Sequence, residues 1–319
     1  MLIKEERGVA LVLALAVIAL LVSLMVDFSY TMMVDLTLAA NLRDGQKAFY
    51  DARSGVELAK HLLQKDDPAY DAPDEEWALL SEHPGFLSDD DEGRFKVTIE
   101  DEAAKIAINK LVTGDKEKKV DLVIRAQLER LFEVLELDPQ LLDPIIDWLD
   151  PNNNPEPFGA EDAYYQSLPS PYPCKNGPLA ALDELLLVKG MTKEILYGQD
   201  EKKGLIHYLT LYSDGKVNIN TASIEVLQSL SDEIDPVLAQ AIIDYRQERP
   251  FKEIKYDDIK SLPGMKLEIF NDIKDQCDVK SSTFSLHAEG QVREIKKVIY
   301  TVLKREEGKG VKPVFWRVE

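Results

Sequence analysis

The stretch GVALVLALAVIALLVSLMV, Gly8 to Val26, decides how the chain begins to fold. After the glycine come eighteen residues in which Ser23 is the only polar side chain. At about 1.5 Å per residue they make about 27 Å of helix, close to the hydrocarbon thickness of a bilayer. The helical pattern runs on. Between Asp27 and Lys65 there is no proline, and Gly45 and Gly55 are the only weak breakers. Val34, Leu38, Leu42, Phe49, Val56 and Leu63 recur at helical spacing, and Pro68 ends the run. One helix is therefore predicted over 9–65, apolar all round in its membrane-spanning part, 9–26, and amphipathic afterwards.

An ordinary export signal carries its cleavage site, with small residues two apart, behind the apolar stretch. Nothing after Leu24 has that form. Gly8 stands in front instead, at the end of the charged head MLIKEERG. A cut after Gly8 would remove 1–8, leave the helix on the mature protein and expose an amine at Val9. The alternative is an uncleaved anchor. The head mixes Lys4 and Arg7 with Glu5 and Glu6, so charge orients the helix only weakly.

The 319 residues carry 58 acidic and 38 basic side chains, a net charge of −20. That field repels nucleic acid and anionic headgroups. Cys174 and Cys277 lack zinc-ligand spacing. In an oxidising compartment the two could form one disulfide; two free thiols is the other reading.

Residues 66–93 read as an acidic, proline-containing loop with a short helix near Trp77. RFKVTIEDEAAKIAINK alternates as two strands turned around Asp101–Ala104. TFSLHAEGQVREIKKVIYTVLKR repeats the pattern with a turn near Gly290, and PVFWRV forms a last strand. Between them, 115–277 reads mostly helical. The expected fold class is α+β: a long N-terminal helix packed on a small antiparallel sheet (66–114 and 278–319), with a large α-helical domain inserted between strands.

That block contains a repeat. DPQLLDPIIDW begins at Asp138 and DPVLAQAIIDY at Asp235. Each is followed by G-M-x2-E-I, at Gly190 and at Gly264. The Asp-Pro pairs read as helix starts, Asp as N-cap and Pro in the first turn. The first copy carries a long insertion, 147–178, and a loop this long in a compact domain usually has a function. It gathers Asp147, Asp150, Asn152, Asn153, Asn154, Glu161 and Asp162. Oxygen donors without histidine or cysteine pairs suit calcium, which takes six to eight oxygens in flexible geometry. The spacing is not that of an EF-hand. The competing reading is a structural loop held by Asx turns and by packed Tyr164, Tyr165 and Tyr172.

KVNINTASIEVLQSL and the later AQAIIDYRQERPFK resemble the helix-hairpin-helix repeats of periplasmic DNA-uptake proteins, which grip phosphate through backbone amides at a glycine-rich hairpin. Here the first hairpin reads SLSDEIDP, without glycine, and 216–277 holds eight basic and twelve acidic residues. The motif reads as packing, with Asn218 and Asn220 capping a helix that starts near Thr221, and no nucleic-acid partner is expected. The four histidines are scattered, with no HExxH, P-loop or nucleophile elbow, so no enzyme is expected.

Leader, glycine, apolar run and long helix together resemble a type IV prepilin or pseudopilin. Most members of that family carry glutamate at the fifth mature position; here that residue is Leu13. This departure, and DWLDPNNNPEPFGAEDAYYQSLPSPYPCKNGPLAALDELLLVKGM, resemble the K family of minor pseudopilins of type II secretion. The resemblance implies cleavage between Gly8 and Val9 by the prepilin peptidase, and an inner-membrane helix with the globular part in the periplasm. It implies a place at the tip of the pseudopilus, where the subunit caps and starts the filament that exports folded proteins. It implies the minor pseudopilins I and J, then H, as partners. It also implies one or two calcium ions, with ligand roles for Asp147, Asp150, Asn152, Asn154, Glu161 and Asp162.

Overall fold

The computed structural model describes residues 3–66, 69–82, 94–113, 119–306 and 310–319. The expected loop HPGFLSDDDEG lies outside them. Helix α1 (Ile3–Lys65) is continuous. From Gly8 to Asn41 its residues are exposed apart from half-buried Ala40. Beyond that one stripe is buried: Asp44, Ala48, Ala52, Val56, Ala59 and Leu63. This differs from the expected amphipathic face. Val56 and Leu63 of that face are seated, but Val34, Leu38 and Leu42 stay exposed, and half of the seated stripe is alanine. Small side chains let the helix axis approach the sheet closely; large ones would hold it off.

Under the helix lies a four-stranded antiparallel sheet of β1 (Arg94–Asp101), β2 (Thr283–Val292), β3 (Ile295–Glu306) and β4 (Gly310–Val318), in that order. Val97, Ile99, Phe284, Leu286, Ala288, Ile299 and Leu303 meet the α1 stripe in one core. Helix α2 (Glu76–Glu82), the short helix expected near Trp77, brings Trp77 edge-on to Phe284 at 5.0 Å. Two ion pairs secure α1: Asp44 with Arg293 at 3.0 Å and Asp66 with Arg305 at 2.9 Å. The Arg43 and Arg293 guanidiniums hold the Asp44 carboxyl below the usual carboxylate range.

Two expected turns are corrected. The hairpin does not turn at Gly290, which sits inside β2, paired with Lys297. The turn is Arg293–Glu294, with Arg293 at φ 53°. Gly290 is glycine because α1 crosses it: an added Cβ would lie 1.9 Å from the Ala48 carbonyl oxygen. The second correction concerns Asp101–Ala104. No hairpin forms there. Asp101 caps a single 3-10 turn, accepting from Ala103 N at 2.8 Å, and the chain leaves the sheet. Ile106–Ala107 pairs in parallel with Leu209–Thr210 instead. Ile106, Ala107 and Ile108 are all buried, a run without true alternation. The inserted domain therefore starts before Asp115.

The insert fills the span between β1 and β2. Its helices are α3 (Leu122–Val134), α4 (Leu142–Leu149), α5 (Asp162–Tyr165), α6 (Lys193–Tyr197), α7 (Ile224–Gln228), α8 (Pro236–Glu248), α9 (Tyr256–Ile259) and α10 (Leu267–Ile273). Its core, from Ile106 to Val279, is separate from that under α1. The repeat is present in the backbone. Asp138 and Asp235 are both N-caps before proline. Gly190 and Gly264 both take left-handed φ, 83° and 85°, which other residues adopt at a cost. A buried polar cluster joins the domains. Asp101 accepts from Ser281 Oγ at 2.6 Å, Thr221 Oγ1 at 2.5 Å and Asn218 Nδ2 at 3.0 Å. Burial raises the Asp101 carboxyl. Asn218 and Asn220 are therefore not helix caps. Asn220 brackets Phe251 through both backbone polar groups, and Ser223 caps α7, accepting from Val226 N at 3.3 Å.

Candidate functional site

The inserted loop hangs from the end of α4. Trp148 anchors it, packed edge-on against Tyr165 at 5.2 Å and Tyr172 at 6.3 Å. Asx turns hold its crest: Asp150 accepts from Asn152 N at 2.9 Å, and Asn152 Oδ1 from Asn154 N at 2.7 Å. The structural reading of the loop is thus correct as far as it goes, and it leaves the carboxylates unexplained.

Asp147 is fully buried, with Asp150 and Glu161 nearly so. Asp147 accepts from Glu156 N at 3.0 Å. Both carboxylate oxygens of Glu161 are buried without a hydrogen-bond partner among the described residues. Burial pushes the Glu161 carboxyl up to about 7, with the Asp147 and Asp150 charges adding to it. Burial likewise pushes Asp147 up to about 6 and raises Asp150. The nearby Arg125 guanidinium contacts Asp143 at 3.5 Å and Glu156 at 3.9 Å rather than these three. A buried carboxylate with neither donor nor cation is costly. A divalent cation would offset that cost, and Asp147, Asp150 and Glu161 offer it an oxygen-only donor set, although their carboxylate oxygens are not all gathered within 4.8 Å of one another in this structure.

The other expected ligands are placed differently. Asp162 uses one oxygen to accept from Cys174 N at 2.7 Å, leaving the second. Asn152 is committed to its turn, and Asn154 is exposed. Three neighbours were not anticipated. Gly159 packs so closely that an added Cβ would lie 1.8 Å from Asp147 Oδ2. Asp143 accepts from Phe158 N at 3.1 Å. Asn176, at φ 47°, donates to Asn152 O at 3.2 Å and keeps a buried Oδ1 without a partner among the described residues. An asparagine among prolines gave no sign of it.

Of the two readings of Cys174 and Cys277, the structure shows the second: both are buried free thiols. Cys174 donates to Asp147 O at 3.6 Å, while Cys277 lies on a strand paired with Val217. Both lie in the core of the inserted domain, and burial pushes both thiols up to about 12.

The hairpin SLSDEIDP spends its acids inside the chain: Asp232 pairs with Arg130 at 2.6 Å and Glu233 with Lys266 at 3.0 Å. Nothing there is arranged to receive phosphate. At the other end of the molecule, Gly8 is exposed in α1 and a Cβ on it would meet nothing within 4 Å. No contact among the described residues requires that glycine. Val9 and Leu13 are exposed at 68 % and 66 %.

A long apolar helix laid on a four-stranded antiparallel sheet, its free end long enough to cross a bilayer, is the plan of a pilin-like subunit. Comparison with known proteins places it further. Residues 104–198 match the family described as type II secretion system protein K, and 213–278 match the helix-hairpin-helix motif. The protein K of Pseudomonas aeruginosa is 30% identical over 263 residues, 78% of this chain and 75% of that protein. That of Aeromonas hydrophila is 28% identical over 341 aligned positions, 98% of this chain and 97% of that protein. The GspK-GspI-GspJ complex of enterotoxigenic Escherichia coli contains a chain of the same fold, with TM-score 0.68 at 19% identity, covering 88% of this chain and 99% of that one. This chain belongs to the type II secretion system protein K family, and is a minor pseudopilin of that system. The helix-hairpin-helix match does not favour a DNA-uptake protein.

Proposed function

We propose that this subunit stands once, at the tip of the pseudopilus, where it caps and starts the filament. The observation that carries the reading is Leu13. A carboxylate at this depth offsets its cost in lipid by pairing with a neighbour's terminal amine. Leucine gains nothing ionic by docking there onto an earlier subunit. The wide body also cannot recur along a slender filament without crowding. Before assembly, α1 holds the protein in the inner membrane with its body in the periplasm. The partners are pseudopilins of the I and J types, which share a complex with the K protein in the structural relative, and then H. Full-length chain co-purified in detergent with I-type and J-type partners should give one copy of each by light scattering. Homopolymers, or no complex with any partner, would sink the tip assignment.

Gly8 marks the cut by the prepilin peptidase. Since no described residue needs glycine there, Gly8→Leu should leave folding unchanged and abolish processing. Intact mass of the membrane-extracted protein checks this: the wild type should begin at Val9 and the variant at Met1. A mature wild type that keeps 1–8 contradicts the reading. The metal we assign to the loop is calcium, held by Asp147, Asp150 and Glu161, with the second oxygen of Asp162 left uncommitted.

A further inference from the structure

Where the chain leaves α1 it builds a cluster of charge outside the calcium loop. Asp66 follows the last turn of α1, Asp71 lies in the connecting segment, and Glu75 stands just before α2. Each brings one carboxylate oxygen within 4.8 Å of the other two. Arg305 of β3 reaches in from the sheet, 2.9 Å from Asp66 and 2.9 Å from Asp71. Glu75 is held differently: its Oε2 accepts from Ala72 N and Trp77 Nε1, both at 2.9 Å.

The same residues tie the two domains together. Asp71 N donates to Val279 O at 2.7 Å, and Asp71 Oδ2 accepts from Ser281 N at 2.7 Å, where the insert returns to the sheet. Asn218 Nδ2 donates to Asp71 O at 3.0 Å. Ser281 also donates through Oγ to Asp101, so both buried acids depend on one serine. Trp77, held by Glu75, packs on Phe284 in the sheet core. Other charges flank the cluster. A cavity of about 410 Å³ brings Asp214, Asp278, Lys280 and Glu306 to Asp66 and Arg305. A second, of about 280 Å³, brings Glu100, Lys105 and His207 to Trp77 and Asp101. Lys105 is taken by Glu100 and Glu102, at 3.0 and 3.1 Å.

Three ionised carboxylates around one guanidinium leave two negative charges unbalanced, and Asp71 is wholly buried. Carboxylates this close resist ionising together. Arg305 does not make up the difference. Its Nη1 faces Asp71 Oδ1 at 2.9 Å, yet both atoms are buried without a hydrogen-bond partner among the described residues. The guanidinium also stands where it would repel a metal ion. We infer that Asp66, Asp71 and Glu75 share one proton beside Arg305, that this proton fastens the inserted domain to the sheet, and that its loss at alkaline pH loosens the joint. Burial pushes Glu75 up to about 7 and Asp71 up to about 6, the direction a shared proton requires. The joint holds its proton more tightly closed than open. Its contribution is therefore greatest at low pH and is lost as pH rises through about 7.

Hydrogen exchange on the full-length chain in detergent tests this, expressed as protection so that the intrinsic pH dependence of exchange cancels. An opening that releases one proton becomes about tenfold easier per pH unit until the closed form has lost it too. From about pH 5.5 to about pH 7.5, protection of the Asp71 and Ser281 amides should fall at least about tenfold, then level off. Glu75→Gln keeps an oxygen for Ala72 and Trp77 without the charge, so its protection should change less than about threefold over that range. Asp74→Asn, an exposed neighbour, removes one charge outside the cluster and should keep the wild-type slope. Wild-type protection that does not fall with pH overturns the proposal, whether or not Glu75→Gln folds. A Glu75→Gln that keeps the slope, or an Asp74→Asn that loses it equally, overturns it in favour of the bulk charge of the chain. Calcium that restores protection of both amides at about pH 8 in Glu161→Gln overturns it in favour of a metal at this cluster.

Discussion

Replacing Gly290 with alanine is expected to unfold the sheet body, lowering stability by more than about 4 kcal/mol, in the upper range for single substitutions. The added Cβ would lie 1.9 Å from the Ala48 carbonyl oxygen and 2.6 Å from Ala52 N. Both are backbone atoms of α1, so no side-chain rotation relieves the overlap. The helix must lift, and Ala48, Ala52, Val56 and Ala59 lose their seat on the sheet. Gly45→Ala supplies the contrast: its Cβ would meet only Ile295 Cγ2, at 3.9 Å. Removing a helical glycine there should stabilise by about 0.5–1 kcal/mol. Denaturant unfolding of the full chain in detergent measures both. Equal midpoints for wild type and Gly290→Ala would mean that α1 is not seated on the sheet at that point.

Calcium should raise the melting temperature of the helical domain by about 5–10 °C. Binding to the native state alone at about a hundred times the dissociation constant contributes about 2.7 kcal/mol, and each kcal/mol moves a domain of this size by about 2–4 °C. The effect should depend on pH with a definite sign. Without metal, the Glu161 carboxyl titrates near 7 in the folded chain, above about 4.3 when unfolded. The folded form thus holds its proton longer. The contribution of this group to stability is greatest below the unfolded value and is lost as pH rises toward 7. Calcium takes the deprotonated carboxylates and offsets that loss, so its stabilisation should be larger at pH 8 than at pH 5.5. Glu161→Gln should melt above the chelated wild type at pH 8 and respond little to calcium. Identical melting of wild type with and without chelator at pH 8 would leave the loop as plain structure.

Features that depend on local pattern were legible in the residues alone. The run from Gly8 to Val26 was legible as a helix long and apolar enough to cross a bilayer, because eighteen nearly uninterrupted apolar side chains set both its length and its character. The Asp-Pro starts and Gly-Met ends marked the two repeats, since capping and left-handed φ are properties of single residues. The loop's oxygen donors were legible for the same reason. Other features turn on what lies across a contact, and those needed the folded chain. Gly290 reads as a turn in sequence and is a crossing point, made glycine by Ala48. Leu38 and Leu42 read as the seated face, yet the seat went to alanines that let the helix come close. Asn218 reads as a cap and is a strut between domains, held by Asp101 and Ser281 from distant strands. Asn152 and Asp162, alike as donors on paper, were partly claimed by backbone amides. Glu161 was left buried without a hydrogen-bond partner among the described residues, and burial beside two other carboxylates is what makes it the centre of the proposed metal site.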